Sequence, residues 1–369
     1  MKSNVNKTDC LYYLGSKPCA FHKQYSAICI DCKYYKPIKR KVLVIKLGAM
    51  GDVLRTTAIL PKIMKNDNTE VTWITDRKSV AFLQNKYINR VVDSKDDILL
   101  PMLMTEYFDE VYSLENSYEA AILAEISRSD SKKGYGVNKL GKIYAFNKPA
   151  QYWLNLANND ILKKANTVSY LENLFNICAL TFDESKDKYI IPEEYINENT
   201  SSIEKLITGR SKIWGIVTGA GKRWKYKSLA VSKQIELIDI LIKNKQQILL
   251  IGGQEEAETL NILEKRFGEK IINSGQDNNE LGLIKVISLC DIVVTPDSLP
   301  MHIALALQKK TYAYVGPTSA IELSSFGLLE KIIPKLDCLC CYKTGCEVLL
   351  KCNERFSWEI LIQNEGLSQ

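Results

Sequence analysis

One carboxylate in this chain stands where a reaction could use it. In the stretch Lys46-Leu47-Gly48-Ala49-Met50-Gly51-Asp52-Val53-Leu54-Arg55-Thr56-Thr57, Asp52 follows a turn with two glycines. The apolar run Val42-Leu43-Val44-Ile45 just before it reads as a buried strand. The turn therefore delivers Asp52 to the carboxyl end of a strand and the start of a helix, where open α/β sheets bind ligands. The partial positive charge of a helix N-terminus favours a carboxylate there. Two readings stand side by side, a helix cap and a reactive carboxylate.

Three further loops could hold an anion. Thr218-Gly219-Ala220-Gly221-Lys222-Arg223-Trp224 combines small residues, which let backbone amides approach a phosphate, with a basic pair. Its plainer reading is an exposed basic turn. Gly252-Gly253-Gln254-Glu255-Glu256 permits close approach of a ligand and offers an acid for ribose hydroxyls, or simply decorates a helix start. In Thr295-Pro296-Asp297-Ser298-Leu299-Pro300-Met301-His302, Asp297 or Ser298 could cap the following helix, and free amides could face an anion. His302 is one of two histidines, and a lone histidine in a first helical turn is more often structural than catalytic. The dinucleotide fingerprint Gly-x-Gly-x-x-Gly, the P-loop and the Gly-x-Ser-x-Gly elbow are all missing, which disfavours nicotinamide, flavin, P-loop and serine-hydrolase chemistry.

The elements that must position these loops alternate. Strands are expected at 42–45, 70–75, within 108–114, at 188–191, 213–217, 247–251, 291–295 and 311–315. Helices are expected at 52–64, 228–243, 254–267, 279–290 and 300–307. Such alternation implies parallel sheets with right-handed crossovers. A chain of 369 residues is long for one core, so two doubly wound domains facing a cleft are expected. The reading divides the chain into a cysteine-rich segment (1–38), a first Rossmann-like domain (39–200), a second, ligand-binding one (201–335) and a cysteine-rich tail with a terminal helix (336–369). A net charge of +6 is too mild for a dedicated nucleic-acid binder and suits an anionic substrate. The basic runs Lys33–Lys41 and Lys222–Lys227 read first as solvated faces.

The Gly51-Asp52-Val53 turn, the Lys222-Arg223-Trp224 loop, Gly252-Gly253 with its glutamates, Asp297-Ser298 with His302, and Gly316-Pro317-Thr318 follow in one order. Together, over residues 41–335, they resemble glycosyltransferase family 9, the ADP-heptose:lipopolysaccharide heptosyltransferases. The resemblance implies the GT-B fold, two Rossmann-like domains facing an interdomain cleft. It also implies inverting, metal-independent transfer of a heptose from ADP-heptose to a lipopolysaccharide inner-core acceptor. A protein acceptor of the autotransporter type and a non-catalytic nucleotide- or metal-binding role are the alternatives.

By the same resemblance Asp52 is the base that deprotonates the acceptor, and Lys222 stabilises the departing diphosphate. Thr218 and the turn at Asp297 and Ser298 hold phosphates, and Glu255 or Glu256 meets the ribose. Gly51, Gly219, Arg223, Gly253 and His302 complete the expected substrate-binding set. The chain departs from the family's Asp-Thr-Gly at Asp297-Ser298-Leu299-Pro300, where a glycine and one amide are lost. No apolar segment reaches the ~18 residues of a membrane span, and the N-terminus lacks a signal-peptide core. A cytoplasmic protein is expected, with peripheral contact at the cytoplasmic face of the inner membrane.

Eleven cysteines are many for a reducing compartment, and their grouping suggests metal rather than disulfides. Cys10, Cys19, Cys29 and Cys32 give C-x8-C-x9-C-x2-C, suited to a structural zinc or iron, with His22 as a competing ligand. Cys338, Cys340, Cys341, Cys346 and Cys352 form a denser second group, while Cys178 and Cys290 sit in apolar surroundings expected to be core.

Overall fold

A computed structural model describes residues 6–64, 68–209, 211–348 and 351–368. Six strands build the first sheet: β1 (Arg40–Ile45), β2 (Thr69–Thr75), β3 (Arg90–Asp93), β4 (Glu110–Ser113), β5 (Lys132–Val137) and β6 (Ile143–Ala145). Their order is β3-β2-β1-β4-β5-β6, with only β6 antiparallel, to β5. The second sheet holds β7 (Ile213–Val217), β8 (Gln247–Ile251), β9 (Ile272–Asn273), β10 (Ile292–Pro296), β11 (Lys310–Tyr314) and β12 (Leu329–Ile332). Its order, β12-β11-β10-β7-β8-β9, is parallel throughout. Both are Rossmann-like windings that start at a central strand and reverse direction beside it.

The central strands are continuous apolar runs because helices cover both of their faces. Val42 to Ile45 of β1 and Leu249 to Leu250 of β8 are fully buried. The first core gathers Leu43, Ile45, Ile74, Leu103, Phe108 and Val111. The second gathers Trp214, Ile216, Leu250, Val294 and Tyr312, and takes in Trp358 and Leu361 around the terminal helix Glu359–Glu365.

The described residues fall into two compact units. The first comprises Met1–Leu47, Ile59–Val80 and Lys86–Gln151; the second comprises Gly48–Ala58, Ala81–Asn85 and Tyr152–Gln369. The turn that carries Asp52 therefore belongs to the second unit, although β1 before it lies in the first sheet. The chain passes to the second unit at Tyr152. Within that unit the segment 170–184 is stitched to the region around residue 325. Tyr170 N–H donates to Glu322 O at 3.2 Å, and the amides of Ser325 and Phe326 donate to one Glu184 carboxylate oxygen at 2.6 and 3.0 Å.

Three local expectations need correction. Residues 188–191 form no strand: Ile190 N–H donates to Thr57 Oγ1 at 2.8 Å, and that hydroxyl lies 3.2 Å from Ile190 O, so a helix side chain takes the place of a ladder. The helix expected at 52–64 is Met50–Thr56, a 3-10 turn and a short Leu60–Ile63 helix. Pro61 lacks the N–H that would continue the first ladder. Neither Asp297 nor Ser298 makes a side-chain cap on the Leu299–Ala306 helix, because Asp297 is engaged elsewhere.

Candidate functional site

In the second sheet the winding reverses between β7 and β10, the place where such sheets bind ligands. A cavity of about 240 Å³ opens at the carboxyl ends of β7, β8 and β10. The segments 219–221, 252–253 and 298–300 line it, with Glu256 between them. Thr218, Gly252 and Ser298, each just past or near a strand end, stand where the sequence placed the anion-friendly loops.

Backbone-to-carboxylate bonds hold these loops together. Glu256 accepts from Gly221 N–H at 2.9 Å and Gly253 N–H at 3.0 Å, and Glu255 accepts from Lys222 N–H at 2.7 Å. Gly219 is required by this closeness, since a Cβ there would lie 2.4 Å from Glu256 Cγ. Gly221 has φ +76°, a backbone region that side-chain-bearing residues rarely adopt. Thr218 is buried, and its hydroxyl donates to Ile251 O at 3.2 Å. Of the two glutamates, Glu256 lines the cavity and Glu255 is exposed.

Asp297 sits just past the end of β10 in a half-buried ion pair. Lys227 Nζ donates to its Oδ2 and to its carbonyl oxygen, both at 3.0 Å, and Thr318 Oγ1 donates to Oδ2 at 2.7 Å. Burial pushes the Asp297 carboxyl up, but Lys227, His302 and the Thr318 bond outweigh it and hold it below its ordinary value. Lys227 thus places a half-buried cation beside the Ser298 turn.

Asp52 lies on the Met50–Thr56 helix, which packs on the Leu299–Ala306 helix. Gly51 makes that approach possible: a Cβ there would meet His302 Cδ2 at 2.9 Å. One turn further on, Arg55 pairs with Asp52 at 2.8 Å and lies 3.4 Å over the Tyr170 ring. Arg55 is deeply buried, which by itself lowers its pKa, but Asp52, Tyr170 and Tyr189 reverse this and keep the guanidinium charged. The pair fixes the Asp52 carboxylate on one side, with the side chain one-third exposed. Thr56 adds a bond to the Asp52 carbonyl at 2.6 Å and contacts the Tyr170 hydroxyl at 3.2 Å.

His302 is 4% exposed and edge-on to Tyr189, and its Nδ1 has no partner. Burial, with Arg55 nearby, drives its pKa down to about 4, so the ring is neutral near pH 7. It acts here as the surface against which Gly51 closes.

Most sequence-predicted residues fall around one region of the second unit, but their duties differ. Lys222 and Arg223 are exposed, directly after the cavity-lining Gly221, while Arg55 and Lys227 are the more buried cations, held by Asp52 and Asp297. Arg55 and Tyr170 also escaped sequence reasoning. The signal for Arg55 was available: it stands three residues after Asp52, on the same helical face.

Cys178 and Cys290 are buried as expected, and burial pushes the Cys290 thiol up to about 12. All eleven cysteines are free. Cys10, Cys19, Cys29 and Cys32 line one cavity, yet among the described residues no group of three or more His, Cys, Asp or Glu side chains is arranged to hold a metal ion. In the second group burial and then Cys341, Cys346 and Cys338 raise Cys352 to about 11, whereas Cys340 is raised by burial and by Glu322. No described helix is long and apolar enough to cross a membrane.

Two Rossmann-like windings, with a glycine-lined cavity at the switch point of the second, define the class: a protein of the GT-B fold. More narrowly, the chain belongs to glycosyltransferase family 9 (heptosyltransferase), whose family model matches residues 99–350. It is 25% identical over 316 residues to lipopolysaccharide heptosyltransferase 1 of Campylobacter coli, spanning 79% of this chain and 89% of that protein. In fold it is similar to a glycosyl transferase family 9 protein from Veillonella parvula (TM-score 0.69, 17% identity, 88% of this chain and 95% of that one). It is also similar to E. coli heptosyltransferase WaaC with ADP (TM-score 0.59, 15% identity, 88% and 98%).

Proposed function

We propose that this enzyme moves a heptose from ADP-heptose to a hydroxyl of a lipopolysaccharide inner-core acceptor, with inversion at the anomeric carbon and without a catalytic metal. Asp52 takes the acceptor proton as the oxygen bonds to the anomeric carbon, and the bond from that carbon to the diphosphate breaks. ADP leaves as an anion. Lys222 and Arg223, just past Gly221, and the cation Lys227 beside the Ser298 turn offer the charge that such a leaving group needs. The nucleotide lies along the glycine turns at 219–221 and 252–253, with Glu256 on its ribose side. Synthesis takes place in the cytoplasm, and the basic stretch at 33–41 meets the anionic face of the inner membrane where the acceptor resides.

The observation that carries this reading is the company Asp52 keeps: it shares one unit with the cavity, Asp297 and Lys227. Purified protein incubated with several nucleotide sugars, against a lipid-linked inner-core acceptor and an autotransporter-type protein in parallel, tests it by mass. One heptosyl residue added to the lipid from ADP-heptose is expected. Modification of the protein alone would move the enzyme to the other acceptor class, and no sugar released from any donor would overturn the reading.

A further inference from the structure

A carboxylate takes a proton only from a hydroxyl that it meets within hydrogen-bond reach. An aspartate side chain has several staggered rotamers to choose from, and one of them must be imposed. Asp52 and Arg55 stand three residues apart on one face of the Met50–Thr56 helix, and Arg55 Nη2 meets Asp52 Oδ1 at 2.8 Å. The partners are unequally placed: the Arg55 side chain is 11% exposed and that of Asp52 35%. Burying a guanidinium is costly, and here its Nε is buried without a hydrogen-bond partner. The cation therefore bears the burial while the carboxylate keeps an open side.

A second element of the same unit fixes the guanidinium. Tyr170 opens the helix Tyr170–Ile177, which Ser169 caps by accepting from Glu172 N–H at 3.1 Å. The Tyr170 ring lies 3.4 Å from the Arg55 guanidinium carbon, an arrangement that suits a flat, weakly hydrated cation. Tyr170 is itself held at three further points. Its hydroxyl lies 3.2 Å from Thr56 Oγ1, its amide donates to Glu322 O at 3.2 Å, and its ring meets Trp153 edge-on at 5.8 Å. The ring sets where the guanidinium lies, and the guanidinium in turn sets where the carboxylate lies.

We propose that Arg55, seated on the Tyr170 ring, is the positioning residue for the base: it holds the Asp52 carboxylate in the orientation from which the acceptor proton is taken. The inference rests on Asp52 being that base. The acceptor proton passes to Asp52 as the acceptor oxygen bonds to the anomeric carbon and the bond to the diphosphate breaks. Arg55 gives and takes no proton in this step. A neighbouring positive charge makes any carboxylate a weaker proton acceptor, so what Arg55 supplies is orientation and not basicity. The donor phosphates are not its partner either. Arg55 is absent from the lining of the glycine-loop cavity, and its charge is already committed to Asp52. Its removal is therefore felt in the rate of the chemical step and not in donor binding.

The test is transfer kinetics and ADP calorimetry on R55M, R55K and Y170L, each built in the full chain and again in D52A, with long incubations for the slow variants. R55M should lower kcat by about 10- to 100-fold, the scale of a misplaced reacting group, while donor KM and ADP affinity stay within about twofold. R55K keeps a charge in reach of Asp52 without the planar fork, and should recover part of the loss. In D52A no carboxylate remains to be held, so R55M should cost less than about twofold there. An equal loss in both backgrounds would overturn the proposal, because Arg55 would then act by itself. So would an R55M enzyme as fast as the original, or a loss confined to donor KM. Should urea titration show R55M to be unfolded, Y170L decides, since it leaves the ion pair and removes the ring beneath it. A fall in kcat only where Asp52 is present is expected, and an equal fall in both backgrounds contradicts the role. D52A by itself separates the two claims. Full activity of D52A sinks the base assignment, whereas an inactive D52A beside a fully active R55M sinks the positioning role alone.

Discussion

The two sheets share a winding and differ in what their most connected ion pairs do. In the first, charge gathers where the strands begin. Glu110 of β4 receives Arg40 of β1 at 2.6 Å and Lys133 of β5 at 2.7 Å. Glu106 receives Lys41 at 2.8 Å and Arg90 at 2.7 Å. Burial pushes both carboxyls up, but these cations and the bonds they donate prevail and hold each at about 2. In the second sheet the ion pair Lys227–Asp297 and the glutamates that hold the glycine loops lie where strands end, with Glu256 lining the cavity. Charges at the amino ends tie strands to strands, whereas charges at the carboxyl ends shape a place for a ligand.

That contrast can be broken most severely at Asp52. Replacing it with alanine should lower transfer by about 10²- to 10⁴-fold, the usual contribution of a positioned base, while ADP binding by calorimetry stays near the original value. Lys227→Met strands the Asp297 carboxylate. It should lower the unfolding free energy by roughly 3 kcal/mol in urea titrations and weaken donor affinity as well. Because Asp297 has its pKa lowered in the fold, the stability of this pair is present at neutral pH and is lost as pH falls through that depressed value.

His302 gives a pH signature to the second unit. The unfolded chain protonates this ring near 6.5, but the folded one only near about 4. Stability should therefore fall as pH drops from 6.5 to 4, by up to roughly 3 kcal/mol for this group alone. His302→Phe should flatten that part of the urea midpoint-versus-pH curve, while a slope unchanged by the substitution would assign the effect to other groups. The smallest effect belongs to the first sheet. Glu110→Gln should lower stability by about 1 kcal/mol and leave transfer untouched, since this half-buried network only joins strands. A large loss of activity there would erase the contrast.

Apolar runs announced β1, β2, β7, β8, β10 and β11 because strands buried on both faces must be hydrophobic. β5, which reads Lys132-Lys133-Gly134-Tyr135-Gly136-Val137, and β12, Leu329-Glu330-Lys331-Ile332, carry no such run, and their partners specify them instead. The same division applies to the site. Gly51, Asp52, the glycine loops and the Asp297 turn are local patterns and could be read from sequence. Lys227 looked like one more residue of a solvated basic run; only the fold brings it to Asp297, 70 residues away. Tyr170 meets Arg55 across an even longer loop, 115 residues in sequence, and no spacing announces that.

The account turns on Asp52 acting as a base in a single displacement, and the anomeric configuration of the product tests this most directly. Nuclear magnetic resonance of the new glycosidic linkage, compared with the ADP-heptose supplied, should show the opposite configuration. Retention would require a second displacement or front-side departure, and would contradict the role given to Asp52.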